Sequence, residues 1–316
     1  MQNQIDSWKK IFQNLLTQSS QRKVVLVYPP SRLEIVNHID TASRELDYEI
    51  ERIEVFNAVK PTENPAKFLH LLENLHSEDV IIIVRHNNFM KKLQFERFFS
   101  FSSGFQASDS RVMVLHMLIE DTILTNLCDI DYMELNTYTN DLESRVKDAN
   151  KLRLTTDRGT DLTFVPRRWT KMPYNFENKS KVLLLPVGQL YTAPIENETN
   201  GTIVVDRCIS EFPINFMDII SFPSIKEEIT LKVRNGRIVN IKGEDEASFL
   251  ENICLPQVSE GGRILGEVTF GTNPTKSLLN NIGAQDVLRD TVHFGFGMNT
   301  HLGGQIKANT HWDAVI

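Results

Sequence analysis

The chain is 316 residues long, 41% of them hydrophobic, with 34 Lys and Arg against 41 Asp and Glu and a formal net charge of -7. That length holds two domains of ordinary size, each with its own apolar core. The acidic balance excludes an extensive phosphate-binding surface, because affinity for nucleic acid comes largely from clustered Lys and Arg, so no nucleic-acid partner is expected.

Residues 1–10 are polar where a signal peptide would be apolar, and no later run has the length to span a bilayer. The expected location is cytoplasmic, with no membrane partner. Cys128, Cys208 and Cys254 are odd in number and lack CxxC spacing. Reduced cysteines buried in the core are expected, rather than a disulfide framework or a thiolate zinc site.

From residue 1 to about 150, short β-branched runs alternate with longer amphipathic segments. Residues 24–28 read as a buried strand, Pro30 as the start of a helix, and 50–55 as an alternating strand. An apolar helical stripe follows at Phe68, Leu71, Leu72 and Leu75, then a strand at 80–84, a helix from Phe89 to Phe99 and a strand at 112–115. Strands separated by helices of this length predict an open α/β domain, a parallel sheet with helices on its faces. After the first strand the sequence Tyr28-Pro29-Pro30-Ser31-Arg32 has neither GxGxxG nor GxxxxGKS, so no glycine-lined approach for phosphates exists and nucleotide binding is disfavoured. His86 and His116 each follow a strand, a position that carries sites in α/β folds, although a hydrogen-bonded structural histidine is the simpler reading.

From 151 to 316 the rhythm becomes all-β. The runs 151–156 and 161–164 flank Asp157-Arg158-Gly159-Thr160, and 229–233 and 237–241 flank Asn235-Gly236, both hairpin signals. A helix is expected from Glu244 to about Ile253, its acidic start favoured by the helix dipole, and a short one around Ser277 to Asn281. The predicted second domain is β-rich.

Within it, Glu267, His293, His301, His311 and Asp313 fall in the last sixth of the sequence, where an extended chain can bring them round one divalent metal ion. Imidazole nitrogen and carboxylate oxygen suit zinc, cobalt, manganese or ferrous iron. Residues 311 and 313 face the same side of a strand, because side chains alternate with period two. Glu267 can alternatively act as a general base toward a metal-bound water. His301, beside Gly303-Gly304, reads as a proton donor, an extra ligand or an exposed loop histidine. Gln189 and Tyr191 share a strand face and are candidates to hydrogen-bond substrate, with a packed core tyrosine the alternative for Tyr191. Gly295, Gly297, Gly303 and Gly304 mark either close backbone approach near a site or turns and bulges of a twisted sheet.

Several separated motifs share their order with one family. Asp157-Arg-Gly-Thr-Asp-Leu-Thr-Phe164, Leu185-Pro-Val-Gly-Gln-Leu-Tyr-Thr-Ala-Pro194, Asn200-Gly-Thr-Ile203, Gly266-Glu-Val-Thr-Phe-Gly-Thr-Asn-Pro274, Thr291-Val-His-Phe-Gly-Phe-Gly297 and His311-Trp-Asp313 resemble the second domain of the thermophilic metallo-aminopeptidases, the aminopeptidase T-like family. The resemblance implies a hydrolase of peptides or amino-acid-derived amides, with Glu267, His293, His311 and Asp313 as metal ligands, a homodimer, and plausibly a dedicated biosynthetic step. The chain departs from that pattern twice. Gln189 stands where the family has a glutamate bridging two ions, and Leu288 where it has an acidic residue, so one ion is expected rather than two.

An alternative follows from a second resemblance. The 2,5-dihydroxypyridine dioxygenases look like diverged relatives with a similar His-x-Asp pair, which implies a mononuclear non-haem iron oxygenase. Their remaining iron histidine follows the asparagine of the motif that here reads Thr272-Asn273-Pro274; proline cannot ligate, and His293 would take its place. The third reading is a catalytically inactive homologue that binds a peptide.

Overall fold

The computed structural model describes residues 2–16, 23–54, 79–84, 111–115, 121–174, 182–213, 219–222, 224–276 and 282–316. The expected stripe from Phe68 to Leu75, the helix from Phe89 to Phe99, the short helix near Ser277 to Asn281, and both His86 and His116 lie outside the described residues. Contacts group the chain into two compact units, Met1–Tyr132 with Pro173–Val187, and Met133–Met172 with Gly188–Ile316.

The first unit contains the predicted parallel sheet. Its strands run in the order Glu49–Glu54, Lys23–Tyr28, Val80–Val84, Arg111–Leu115 and Val182–Leu185, with every neighbouring pair parallel. Val80–Val84 lies in the middle and is buried along its whole length, as a continuous branched aliphatic run requires when both faces are covered. The polar N-terminal segment forms the helix Gln2–Leu15, which hides Ile5, Trp8, Ile11, Phe12 and Leu15, an i, i+3, i+4, i+7 stripe. The helix expected at Pro30 begins as a 3₁₀ turn, Pro30–Arg32, and continues as Leu33–Glu45.

The fifth strand, Val182–Leu185, comes from well beyond the change of rhythm near residue 150, and residues 133–146 of the helix Tyr132–Val146 group with the second unit. The units therefore exchange chain across that position instead of dividing at it. Val182-Leu-Leu-Leu185 is as apolar as the central strand Val80–Val84, and it pairs with Arg111–Leu115.

The second unit holds two antiparallel sheets. One has the strand order Arg237–Lys242, Ile229–Arg234, Asn200–Val205, Asp161–Phe164, Leu152–Thr155. Both of its predicted hairpins form, with Asn235 and Gly236 at φ 48° and 75°, the double positive φ of a two-residue turn. The other sheet runs Ile219–Phe222, Cys208–Pro213, His311–Val315, Val292–Gly297, Leu265–Gly271, Gln189–Thr192, Thr170–Lys171. Phe164, Ile203 and Leu231 from the first sheet join Val268, Phe294, Phe296 and Trp312 from the second in one apolar cluster. The expected helix from Glu244 is α-helical over Asp245–Phe249 and widens to a π turn at Leu250–Cys254. Cys128, Cys208 and Cys254 are free and buried. No helix among the described residues is long and apolar enough to cross a membrane.

Candidate metal site

Strand alternation separates chemistry from packing. Since Phe294, Phe296, Trp312 and Ala314 belong to the apolar cluster, His293, Gly295, His311 and Asp313 face the other side of the same strands. A bulge between Leu265 and Glu267 changes the phase of the neighbouring strand, so that Leu265 stays in the core while Glu267 turns to the site. The register then builds three rows across the sheet. Tyr191, Thr269, His293 and Val315 are successive partners; so are Glu267, Gly295 and Asp313; and Gly297 lies opposite His311.

The middle of this lattice is emptied by glycine. A Cβ on Gly295 would lie 2.8 Å from Glu267 Cβ and from His311 Cε1, and 2.9 Å from His311 Nε2. Contacts that short do not occur, so only glycine lets side chains from the two flanking strands converge above it. For Gly295, close approach at a site is thus the correct reading.

The carboxylate of Glu267, only 7% exposed, lies between two imidazoles. Its Oε1 is 3.4 Å from His293 Nε2, and its Oε2 is 3.2 Å from His311 Nε2. His311 Nε2 is also 3.2 Å from Asp313 Oδ1. Each imidazole is turned by a main-chain carbonyl: His293 Nδ1 donates to Asp286 O at 3.2 Å and His311 Nδ1 to Met298 O at 2.8 Å. That tautomer leaves both Nε2 atoms aimed at Glu267, the outer-shell arrangement that orients metal-binding histidines. Thr269 Oγ1 donates to Glu267 Oε1 at 2.6 Å.

This donor set fits a divalent cation. Ligands about 2.0–2.2 Å from one ion stand roughly 2.8–3.6 Å apart at tetrahedral or adjacent octahedral angles, a range that includes the three separations found here. Among the described residues, two groups of three donors are compact enough to hold an ion, Glu267 with His293 and Asp313, and Glu267 with His301 and His311. The electrostatics agree. Burial opposes charge on both imidazoles, but the Glu267 and Asp313 carboxylates outweigh it, raising His293 to about 9 and His311 well above its usual value. Burial likewise opposes charge on Glu267, and the two imidazoles hold its carboxyl well below the usual range. Two protons thus sit where a dication can replace them.

The structure therefore places His293, His311 and Asp313 near the Glu267 carboxylate, with His293 and Asp313 in one compact group and His311 in the other. His301, on the turn Thr300–Leu302, lies edge-on to His311 with ring centroids 5.5 Å apart. The residue is exposed on its turn, and partial loss of water around the ring lowers its pKa to about 4, with His311 a lesser cause. Tyr191 borders Thr269, and burial followed by the Glu267 charge raises its phenol pKa, keeping it protonated. Gln189 Nε2 donates to Asp286 O at 3.3 Å. Leu288 is buried and apolar. Sequence reading did not single out Thr269, or the carbonyls of Asp286 and Met298. Only strand register reveals the first, and main-chain acceptors leave no trace in residue type.

A family model described as NicX, 2,5-dihydroxypyridine 5,6-dioxygenase, matches residues 3–316. The chain belongs to this family. Its fold is similar to that of 2,5-dihydroxypyridine dioxygenase from Pseudomonas putida KT2440, at a TM-score of 0.72 and 17% identity over 99% of this chain and 91% of the other. It is also similar to wild-type AmpT from Thermus thermophilus, at a TM-score of 0.64 and 13% identity over 99% and 92% of the two chains. A search of curated proteins found no match. The motif resemblance to aminopeptidase T thus reflects a distantly shared fold, and the NicX match favours the oxygenase alternative over the hydrolase.

Proposed function

We propose that this chain is a mononuclear non-haem iron dioxygenase that opens an electron-rich, hydroxylated aromatic ring of the dihydroxypyridine type. The observation that carries this reading is the donor inventory around Glu267. A two-ion peptidase needs further carboxylates to neutralise and bridge its second ion, yet position 189 offers a carboxamide already donating to Asp286 O, and position 288 offers buried Leu. What remains is imidazole and carboxylate sufficient for one ion, the ligand chemistry of ferrous oxygenases.

When bound, ferrous iron supplies the redox chemistry that lets dioxygen react with the ring. The protein's own contribution is positional and protonic. The Asp286 and Met298 carbonyls hold His293 and His311 in the tautomer that points Nε2 into the site. Carboxylate oxygens of Glu267 and Asp313 lie 3.2 Å from His311 Nε2, and a ring hydroxyl entering there would meet them as hydrogen-bond acceptors. Tyr191, kept as the phenol, can donate a hydrogen bond to a substrate oxygen beside Thr269. The apolar cluster behind the sheet closes the far side of the site to water.

The test is anaerobic loading with ferrous iron followed by 2,5-dihydroxypyridine and labelled dioxygen. Oxygen uptake with both labelled atoms in a ring-opened product is expected. Release of amine from an amino-acid anilide by the zinc-loaded protein, with no oxygen uptake by the iron-loaded form on dihydroxypyridine or related hydroxylated rings, would overturn the reading in favour of the hydrolase.

A further inference from the structure

We infer that Asn299 is a positioning residue of the site: its buried side chain clamps the loop 298–306 to the strand that carries Glu267, and so fixes the main-chain carbonyl that aims His311. The inference rests on the reading above only in taking His311 as part of a metal site, and it is independent of which groups touch the ion.

Met298 stands one residue before Asn299, and the two share a peptide unit. Because that unit is planar, the Met298 carbonyl and the Asn299 N–H turn together. The carbonyl accepts from His311 Nδ1 at 2.8 Å, and the N–H donates to Ile306 O at 3.4 Å. Whatever fixes Asn299 therefore fixes the acceptor that orients the imidazole. The Asn299 side chain is fully buried and uses both ends of its carboxamide. Oδ1 accepts from Ile306 N at 2.8 Å, closing the loop on itself, and Nδ2 donates to Gly266 O at 3.1 Å, reaching the residue before Glu267. One carboxamide thus links the carbonyl behind His311 to the backbone beside Glu267, whose Oε2 lies 3.2 Å from His311 Nε2.

The surroundings are shaped to hold this amide. Gly304 N donates to Asn299 O at 3.0 Å, and a Cβ on Gly304 would lie 2.1 Å from Asn299 Nδ2, so the carboxamide lies directly against glycine backbone. A Cβ on Gly266 would come within 3.0 Å of Asn299 Cβ. Glu196 braces the loop from outside: its Oε1 accepts from Gln305 N at 2.8 Å and lies 3.4 Å from Asn299 Nδ2, while its Oε2 accepts from Arg167 Nη2 at 2.6 Å. Alanine at 299 would remove both side-chain bonds. Aspartate would keep the shape and the acceptor for Ile306 N, but would set a carboxylate oxygen against Gly266 O and the Glu196 carboxylate, three groups that can only accept. His293, by contrast, takes its orientation from Asp286 O, in a different segment.

The two ring N–H groups give the experiment its internal control. In the ion-free protein carrying isotope-labelled histidine, nuclear magnetic resonance is expected to show slowly exchanging Nδ1 protons on both His293 and His311, as buried hydrogen-bonded groups do. In Asn299→Asp and Asn299→Ala the His311 proton should exchange about tenfold faster, the scale of one lost hydrogen bond, while the His293 proton keeps its wild-type rate. Cobalt(II) titration of the same variants should show affinity lowered by about 10–100-fold, the usual effect of disturbing a group that orients a metal-binding histidine, together with a shifted visible absorption band. Glu196→Ala, one contact further out, should move the His311 proton in the same direction by less. Equal acceleration of both ring protons would reduce Asn299 to a general structural role and overturn the inference, as would unchanged His311 exchange in a folded Asn299→Asp. If neither Asn299 variant folds, Glu196→Ala decides, and an unchanged His311 exchange rate there would overturn it. A wild-type chain that takes up neither cobalt nor ferrous iron would overturn the metal reading, while the exchange rates of the ion-free protein would still decide the role of Asn299.

Discussion

The strands Val80–Val84 and Val292–Gly297 are alike in burial and opposite in capability. Each lies inside its own sheet, and each is buried along nearly all of its length. The first is built from Val and Ile, so both of its faces can only pack. The second alternates Phe294 and Phe296 on the core side with His293, Gly295 and Gly297 on the other. Burial supplies a rigid, water-poor floor in both cases; chemistry appears where one face trades bulk for an imidazole and for space. The lesson is that glycine at 295 contributes as much to the site as the residues that touch an ion, because it makes room for groups from the neighbouring strands.

The largest effect is expected from filling that room. Gly295→Val should lower divalent-ion affinity by more than about 100-fold, beyond the usual cost of altering a supporting residue, while circular dichroism still reports a folded β-rich protein. Equilibrium dialysis measures it, and near-normal affinity would mean the lattice around Glu267 does not depend on the empty position. The reverse substitution in the other strand should separate the two properties. Ile82→Ala, at a site with no exposure, should cost about 2–5 kcal/mol of stability by denaturant unfolding and leave ion affinity unchanged.

A smaller effect tests the electrostatics of the site. With no ion bound, His293 and His311 have raised pKa values because Glu267 and Asp313 favour their protonated forms. A raised histidine pKa adds stability that is fully present below the ordinary value of 6.5 and disappears as pH climbs through the folded value, about 9 for His293. The ion-free protein should therefore melt at progressively lower temperature between those limits, and ion affinity should weaken as pH falls, because each bound ion has to displace protons. Calorimetry with and without manganese checks the sign. A melting temperature that rises with pH over that window would show that these protons are not held by the carboxylates.

Much of this was legible from the chain alone where the signal is local. The Asn235-Gly236 hairpin, the parallel-strand runs and the spacing of His311 and Asp313 all report on neighbours a few residues away. Glu267 and His293 were within reach because their motifs resemble those of related folds. What escaped is set by register. Thr269 acquires meaning only once it is paired with His293, and Gly295 only once Glu267 and Asp313 lie on either side of it. The strand Val182–Leu185 sits inside a β-rich stretch of sequence yet belongs to the parallel sheet, since an apolar run of four residues does not declare its partner. The outer support of the two histidines is made by main-chain oxygens, to which any residue type contributes equally.

One carbonyl ties two side chains of the site together. Asp286 O receives the ring N–H of His293 and the amide N–H of Gln189 together, at 3.2 and 3.3 Å. Glutamate at 189 would turn a carboxylate toward that oxygen, lose the donated bond and set negative charge against a dipole already engaged in aiming His293. An acid introduced at 189 would therefore loosen the imidazole next to it as well as add charge to the site.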